Sequence, residues 1–186
     1  MNKLLLLIAL FLVGCGTTTP SEPKIYIQFS LSESNFQNTP NIRDAVTHAI
    51  KAWENTGLIK ANLYTQGYLI NTIPIYVIDL QNFPLFAEDG VIGLFYNGII
   101  WLDDSIETNW PTPIGGYALA VSIHEIGHAL GLPHIIGEDT CIKMPGDIIL
   151  PTDLEAQHSV MYPRLPFLAE KIGPHEIELL RNKLGL

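Results

Sequence analysis

Apolar residues recur along the chain with two periods. In KIYIQFSL, from Lys24, they alternate: Ile25, Ile27 and Phe29 fall on one side, Tyr26, Gln28 and Ser30 on the other, which predicts a half-buried strand. The period then lengthens, and Ile42, Val46, Ala49, Ile50 and Trp53 recur at helical spacing. Thr39-Pro40 supplies an N-cap and a first-turn proline for that helix, and Gly57 a stop. Residues 68–70 and 73–80, rich in Ile, Val and Tyr, predict two strands. FAEDGVIGLFYNG reads as a glycine-punctuated loop, and residues 99–102 as a short apolar strand. Helical spacing returns over about residues 114–130, through Leu119, Val121, Ile123, Ile126 and Leu130. Residues 135–158 look irregular. Gly173-Pro174 opens a last helix through Leu184, with Glu176 and Glu178 early and Arg181 and Lys183 late, as the helix dipole favours. This order of elements predicts one α+β domain. A chain of 186 residues, 47% of them hydrophobic, is long enough for one core and short for two.

Charge removes one class of partner. The formal charge is −9 and Lys and Arg form no cluster, so a nucleic-acid partner is not expected. The N-terminus adds another signal. MNK carries one positive charge, LLLLIALFLV is too short to span a bilayer, and Leu12-Val13-Gly14-Cys15 looks like a bacterial lipobox. The expected division is a signal peptide over 1–14, a lipidated Cys15 and polar tether over 15–23, and a folded domain over 24–186. Lipidation would leave Cys141 as the remaining thiol, without an internal disulfide. An exported, membrane-anchored monomer is implied, on the outer membrane where there is one.

The densest chemistry is HEIGHALGLPH, residues 124–134. Three imidazoles this close repel when protonated, so burying them calls for a shared partner. On a helix, His124 and His128 lie one turn apart on one side, as two ligands of one metal do. Glu125 points about 100° away and is placed to act on a metal-bound water. Gly131 can take a positive φ and turn the chain so that His134 returns as third ligand. Three neutral histidines leave one tetrahedral position of a zinc ion open, which marks a catalytic site.

HExxHxxGxxH is the signature of metzincin metalloproteases, and the sequence resembles that clan. Ser159-Val160-Met161-Tyr162-Pro163 is similar to the Met-turn of matrixins (matrix metalloproteinases), which implies Met161 as an apolar floor beneath the histidines. IRDAVTHAIKAWEN and IIWLDDSIETNW resemble the first matrixin helix and the strand and loop before the zinc helix. The resemblance implies a zincin-like domain: a twisted mixed sheet, three main helices, and a zinc cleft between a larger N-terminal and a smaller C-terminal subdomain. It implies a zinc endopeptidase acting on proteins or peptides with Glu125 as general base. It further implies an S1′ pocket lined by Ala120, with Pro163, Arg164 and Leu165 opposite, that prefers a large apolar residue after the cut. A substrate peptide is expected to lie along residues 99–102. Asp103, Asp104 and Glu107 match residues that hold calcium in matrixins; a solvated acidic turn is the other reading.

Two departures stand out. Residues 135–160 form an insertion between the third histidine and the Met-turn. No histidine lies between His48 and His124, so the second, structural zinc of many matrixins has no ligands here. His48 and His175 are expected at the surface, and His158 as no ligand, because a fourth imidazole would close the open position. Cys141 is expected to be an unmodified thiol. The rival function is a catalytically weak, zinc-bearing lipoprotein that binds peptides or proteins; an intact Glu125 argues against it.

Overall fold

A computed structural model describes residues 25–31, 36–65, 71–82, 91–109, 116–140, 143–163 and 171–186. Among the described residues, seven strands and five helices follow in order: β1 Ile25–Leu31, α1 Pro40–Glu54, β2 Ile59–Tyr64, β3 Ile73–Ile78, β4 Gly93–Tyr96, β5 Ile99–Asp103, α2 Ser105–Asn109, α3 Tyr117–Ala129, β6 Ile135–Gly137, β7 Ile148–Leu150, α4 Asp153–Ala156 and α5 Pro174–Leu184. The architecture is mixed α+β, as the pattern predicts.

The main sheet has the order β2-β1-β3-β5-β4. Its first four strands run parallel, and β4 is antiparallel to β5. The alternation read from β1 holds in part: Phe29 and Leu31 are buried and Tyr26 is exposed, but Ser30, on the polar side, is fully buried as well. Phe29 and Leu31 join Ile75 of β3 and Ile100 and Leu102 of β5 in one core. The predicted stripe of α1 is buried against it, and α3 packs on α1. One polar link ties these helices, because the Trp53 indole N–H donates to the Ile123 carbonyl at 3.0 Å.

Several expectations are corrected. Thr39 precedes α1 as predicted but makes no side-chain cap. Glu107 does that work from α2, accepting the Asn41 and Ile42 amides at 3.1 and 2.8 Å. A carboxylate on a helix N-terminus satisfies two orphan donors and meets the positive end of the dipole. Strand β2 is an element the periodicity reading passed over; its alternation of Ile59, Ala61 and Leu63 with Lys60, Asn62 and Tyr64 is present but weakly apolar. The strand expected at 73–80 ends at Ile78, and Leu80 enters a 3-10 turn. The expected strand 68–70 lies outside the described residues.

The stretch read as loop before β5 holds β4. Asn97 and Gly98 both have positive φ, +52° and +76°, which is the two-residue turn of a hairpin. β5 is thus paired on both sides, by β3 and β4. No peptide can be added along 99–102; among the described residues the edge strand at this end of the sheet is β4. The span 135–158 is not irregular either. β6 and β7 pair in parallel, and α4 follows. Strands of three residues are too short to display a period, which is why the pattern hid them.

Candidate metal centre and its carboxylates

α3 carries His124, Glu125 and His128 and is buried along nearly its whole length. It ends as the sequence predicts. Gly131 has φ +83°, its N–H donates to the His128 carbonyl at 2.8 Å, and the Leu132 N–H donates to the Gly127 carbonyl at 3.0 Å. This Schellman closure reverses the chain and brings His134 back to the other two histidines. Their ligand atoms lie within 4.8 Å of one another, and among the described residues this is the one group of three or more His, Cys, Asp or Glu placed to hold a metal. Glu125, His48, His158 and His175 are outside it; the last three are exposed.

Hydrogen bonds determine which nitrogens face inward. His124 Nδ1 is 2.7 Å from the Val160 carbonyl and His128 Nδ1 is 2.9 Å from the Leu132 carbonyl. A carbonyl only accepts, so each Nδ1 carries the proton and each Nε2 keeps a lone pair. The His128 Nε2 lies 3.0 Å from the His124 Nε2 and 3.1 Å from the His134 Nε2. The two inward lone pairs of His124 and His128, with the His134 ring nitrogen beside them, form a cradle for a cation. Burial is the main cause lowering the proton affinity of His124, to about 3, and of His128, to about 4; the neighbouring imidazoles add to it. His134 is lowered too, by burial, with Asp147 acting the other way. All three are neutral donors at neutral pH.

Glu125 is 4% exposed, and its Oε2 has no hydrogen-bond partner. Burial raises its pKa to about 8, against the hydrogen bond from the Phe95 amide of β4. β4 comes this close because residue 93 is glycine: a Cβ there would sit 2.5 Å from Val121 Cγ1 and 2.8 Å from Glu125 Oε1.

Met161 is 0% exposed, whereas Met144, the other downstream methionine, is 58% exposed. The Met161 sulfur packs on Gly127, where any Cβ would collide with it. The turn around Met161 is fastened by a carboxylate that the periodicity reading treated only as a dipole partner. Glu176, 1% exposed, accepts the Ser159 hydroxyl and, at 3.1 Å, the Val160 amide through Oε1. Its Oε2 accepts the Gly173 amide at 2.8 Å. The Met161 amide in turn donates to Ser159 Oγ at 2.9 Å. A line of hydrogen bonds therefore runs from His124 through the 160–161 peptide and Ser159 to Glu176. The sequence signal was present: a glutamate three residues after Gly173 at a helix start.

The acidic trio is not assembled as a ligand set. Asp103 is buried, accepting the Leu80 amide at 2.8 Å and the Ser105 amide and hydroxyl, and Glu107 caps α1. Asp104 is exposed, its pKa raised by partial burial, Asp103 and Asp79. Of the expected pocket residues, Ala120 is buried on α3 and Pro163 is exposed, while Arg164 and Leu165 lie outside the described residues, as do Cys15 and Cys141.

These shifts predict a pH optimum for the metal-free fold. Below 6.5 the histidines take up protons in the unfolded chain but not in the folded one, so stability falls as pH falls from 6.5 towards 4. Glu125 works oppositely. Its raised pKa contributes stability that is complete below 4.5 and lost as pH rises through about 8. Three groups outweigh one in the overlap, so the melting temperature of chelated protein should peak between about pH 6 and 7. In Glu125→Gln the decline above that peak should be absent; an identical profile would contradict the assignment.

No family model and no curated protein matches this chain.

Proposed function

We propose that this protein is a zinc-dependent endopeptidase of the metzincin kind, nearest the matrixins. One observation carries the reading: three histidine Nε2 atoms converge, two of them left proton-free by Nδ1–carbonyl bonds, and the helix that supplies two of them also carries a buried carboxylate with an unpartnered oxygen. The spacing suits zinc. Tetrahedral Zn–N bonds of about 2.0–2.1 Å place ligand nitrogens roughly 3.3 Å apart, near the 3.0 and 3.1 Å observed. Three long helices and the mixed sheet also agree with the resemblance.

His124, His128 and His134 would hold the ion. Bound zinc supplies Lewis acidity to a peptide carbonyl and lowers the pKa of water. Glu125 accepts the water proton at Oε2 and delivers it to the leaving amine. In the metal-free protein its pKa of about 8 leaves the carboxyl mostly protonated at neutral pH, and the positive charge of a bound zinc would favour the ionised form that acts as base. The Phe95 amide holds the carboxyl beside β4. The substrate would extend along the edge strand β4, gaining main-chain hydrogen bonds, with a large apolar residue after the cut towards Ala120.

Removal of zinc by chelation should abolish cleavage of an unfolded protein substrate, and added zinc should restore it. Absence of cleavage by zinc-loaded protein would overturn the reading. Location rests on the N-terminal pattern: export and anchorage through Cys15, for which a single acyl chain is marginal and two or three are needed. Mass spectrometry should find lipid on Cys15, and an unmodified residue in the mature protein would refute the anchor.

A further inference from the structure

A ligand histidine needs an acceptor at Nδ1 to fix its tautomer and ring orientation. Main-chain carbonyls serve His124 and His128. Facing Nδ1 of His134 is a carboxylate, Asp147 Oδ1, at 3.7 Å. That spacing is beyond hydrogen-bond length, a close contact between a carboxylate and a neutral imidazole.

Asp147 is held at this place by its own turn. Its N–H donates to the Met144 carbonyl at 3.1 Å, and its Oδ2 accepts the Met144 amide at 2.6 Å. Pro145 followed by Gly146, with φ +99°, is the type II pattern that closes such a turn. The next amide, of Ile148, donates to the carbonyl of His134 itself at 2.9 Å. One carboxylate oxygen is thus fixed by the turn and the other faces the ligand, in a side chain 7% exposed.

We infer, resting on the zinc reading above, that Asp147 is the positioning carboxylate of the third ligand. It orients the His134 ring, keeps the proton on Nδ1 and strengthens Nε2 as a donor. The segment between His134 and the Met161 turn thereby acquires a task, since β6 and β7 carry Asp147 back to the histidine from which they depart. It is a charged partner where the other two ligands have neutral ones.

The test is zinc affinity of the full chain, by chelator competition, beside the melting temperature of the metal-free protein and the visible spectrum of the cobalt-loaded one. Asp147→Asn can still accept the Met144 amide but presents an amide rather than a carboxylate to His134. It should bind zinc roughly 10–100-fold more weakly, with altered cobalt bands and an unchanged metal-free melting temperature. Asp147→Ala should show the same loss of affinity with a lower melting temperature, because the turn loses its side-chain bond. Wild-type affinity in Asp147→Asn would overturn the inference and leave the enzyme reading standing. Parallel loss of affinity and metal-free stability in Asp147→Asn would reduce Asp147 to a scaffold residue. A wild-type chain that fails to bind zinc would overturn the enzyme reading and this inference together.

Discussion

Glu125→Gln is expected to retain zinc and lower kcat/KM for peptide hydrolysis by roughly 10²–10⁴-fold, the usual worth of a positioned proton carrier. The substitution is nearly isosteric, and its amide oxygen can still accept the Phe95 N–H, so β4 should stay in place. What disappears is the unpartnered Oε2, the atom assigned to take the proton. His128→Ala, by contrast, removes the ligand at the centre of the Nε2 cluster and should lose metal and activity together. Metal content and kinetics measured on the same samples separate the two outcomes. Equal turnover by Glu125→Gln and wild type would sink the enzyme reading.

The largest stability effect should come from Glu176→Ala, about 3 kcal/mol or more in urea unfolding, since each buried donor left without its acceptor costs about 1–3 kcal/mol. Three donors lose their acceptor at once: the Ser159 hydroxyl and the Val160 and Gly173 amides. The first two cannot turn to water without opening the packing around Val160 and Met161, both fully buried. The consequence reaches the metal, because the Val160 carbonyl orients His124. Zinc affinity should therefore fall with stability in this variant. Glu178→Ala, two residues along the same helix and exposed, serves as control and should change stability by less than about 0.5 kcal/mol. Similar values for the two would mean that the Glu176 contacts contribute little.

The difference between Glu178 and Glu176 shows where sequence reading stops. Both suit the first turns of α5 by charge; the three-residue step from Gly173 marks Glu176 as a cap, but nothing within the helix says that it is buried against Ser159 and Val160. Within residues 124–134, by contrast, the site was legible, because its geometry is local: a four-residue step along a helix sets two ligands, and one glycine at positive φ returns the third. The long helices were legible too, since ten or more residues are enough to display a period, and α5 begins and ends at the predicted residues. β4, β6 and β7 were missed because strands of three or four residues show no reliable alternation, although Asn97-Gly98 announced the first of them. Glu107 at the start of α1, the Phe95 amide against Glu125, Glu176 beneath Val160 and Asp147 behind His134 were decided by tertiary structure alone. A buried carboxylate must find donors wherever the folded chain places them, and local spacing does not encode partners brought together by long loops and strand order. The three clustered histidines belong to the sequence; the tautomers of His124 and His128, the raised pKa of Glu125 and the place of β4 at the sheet edge belong to the fold.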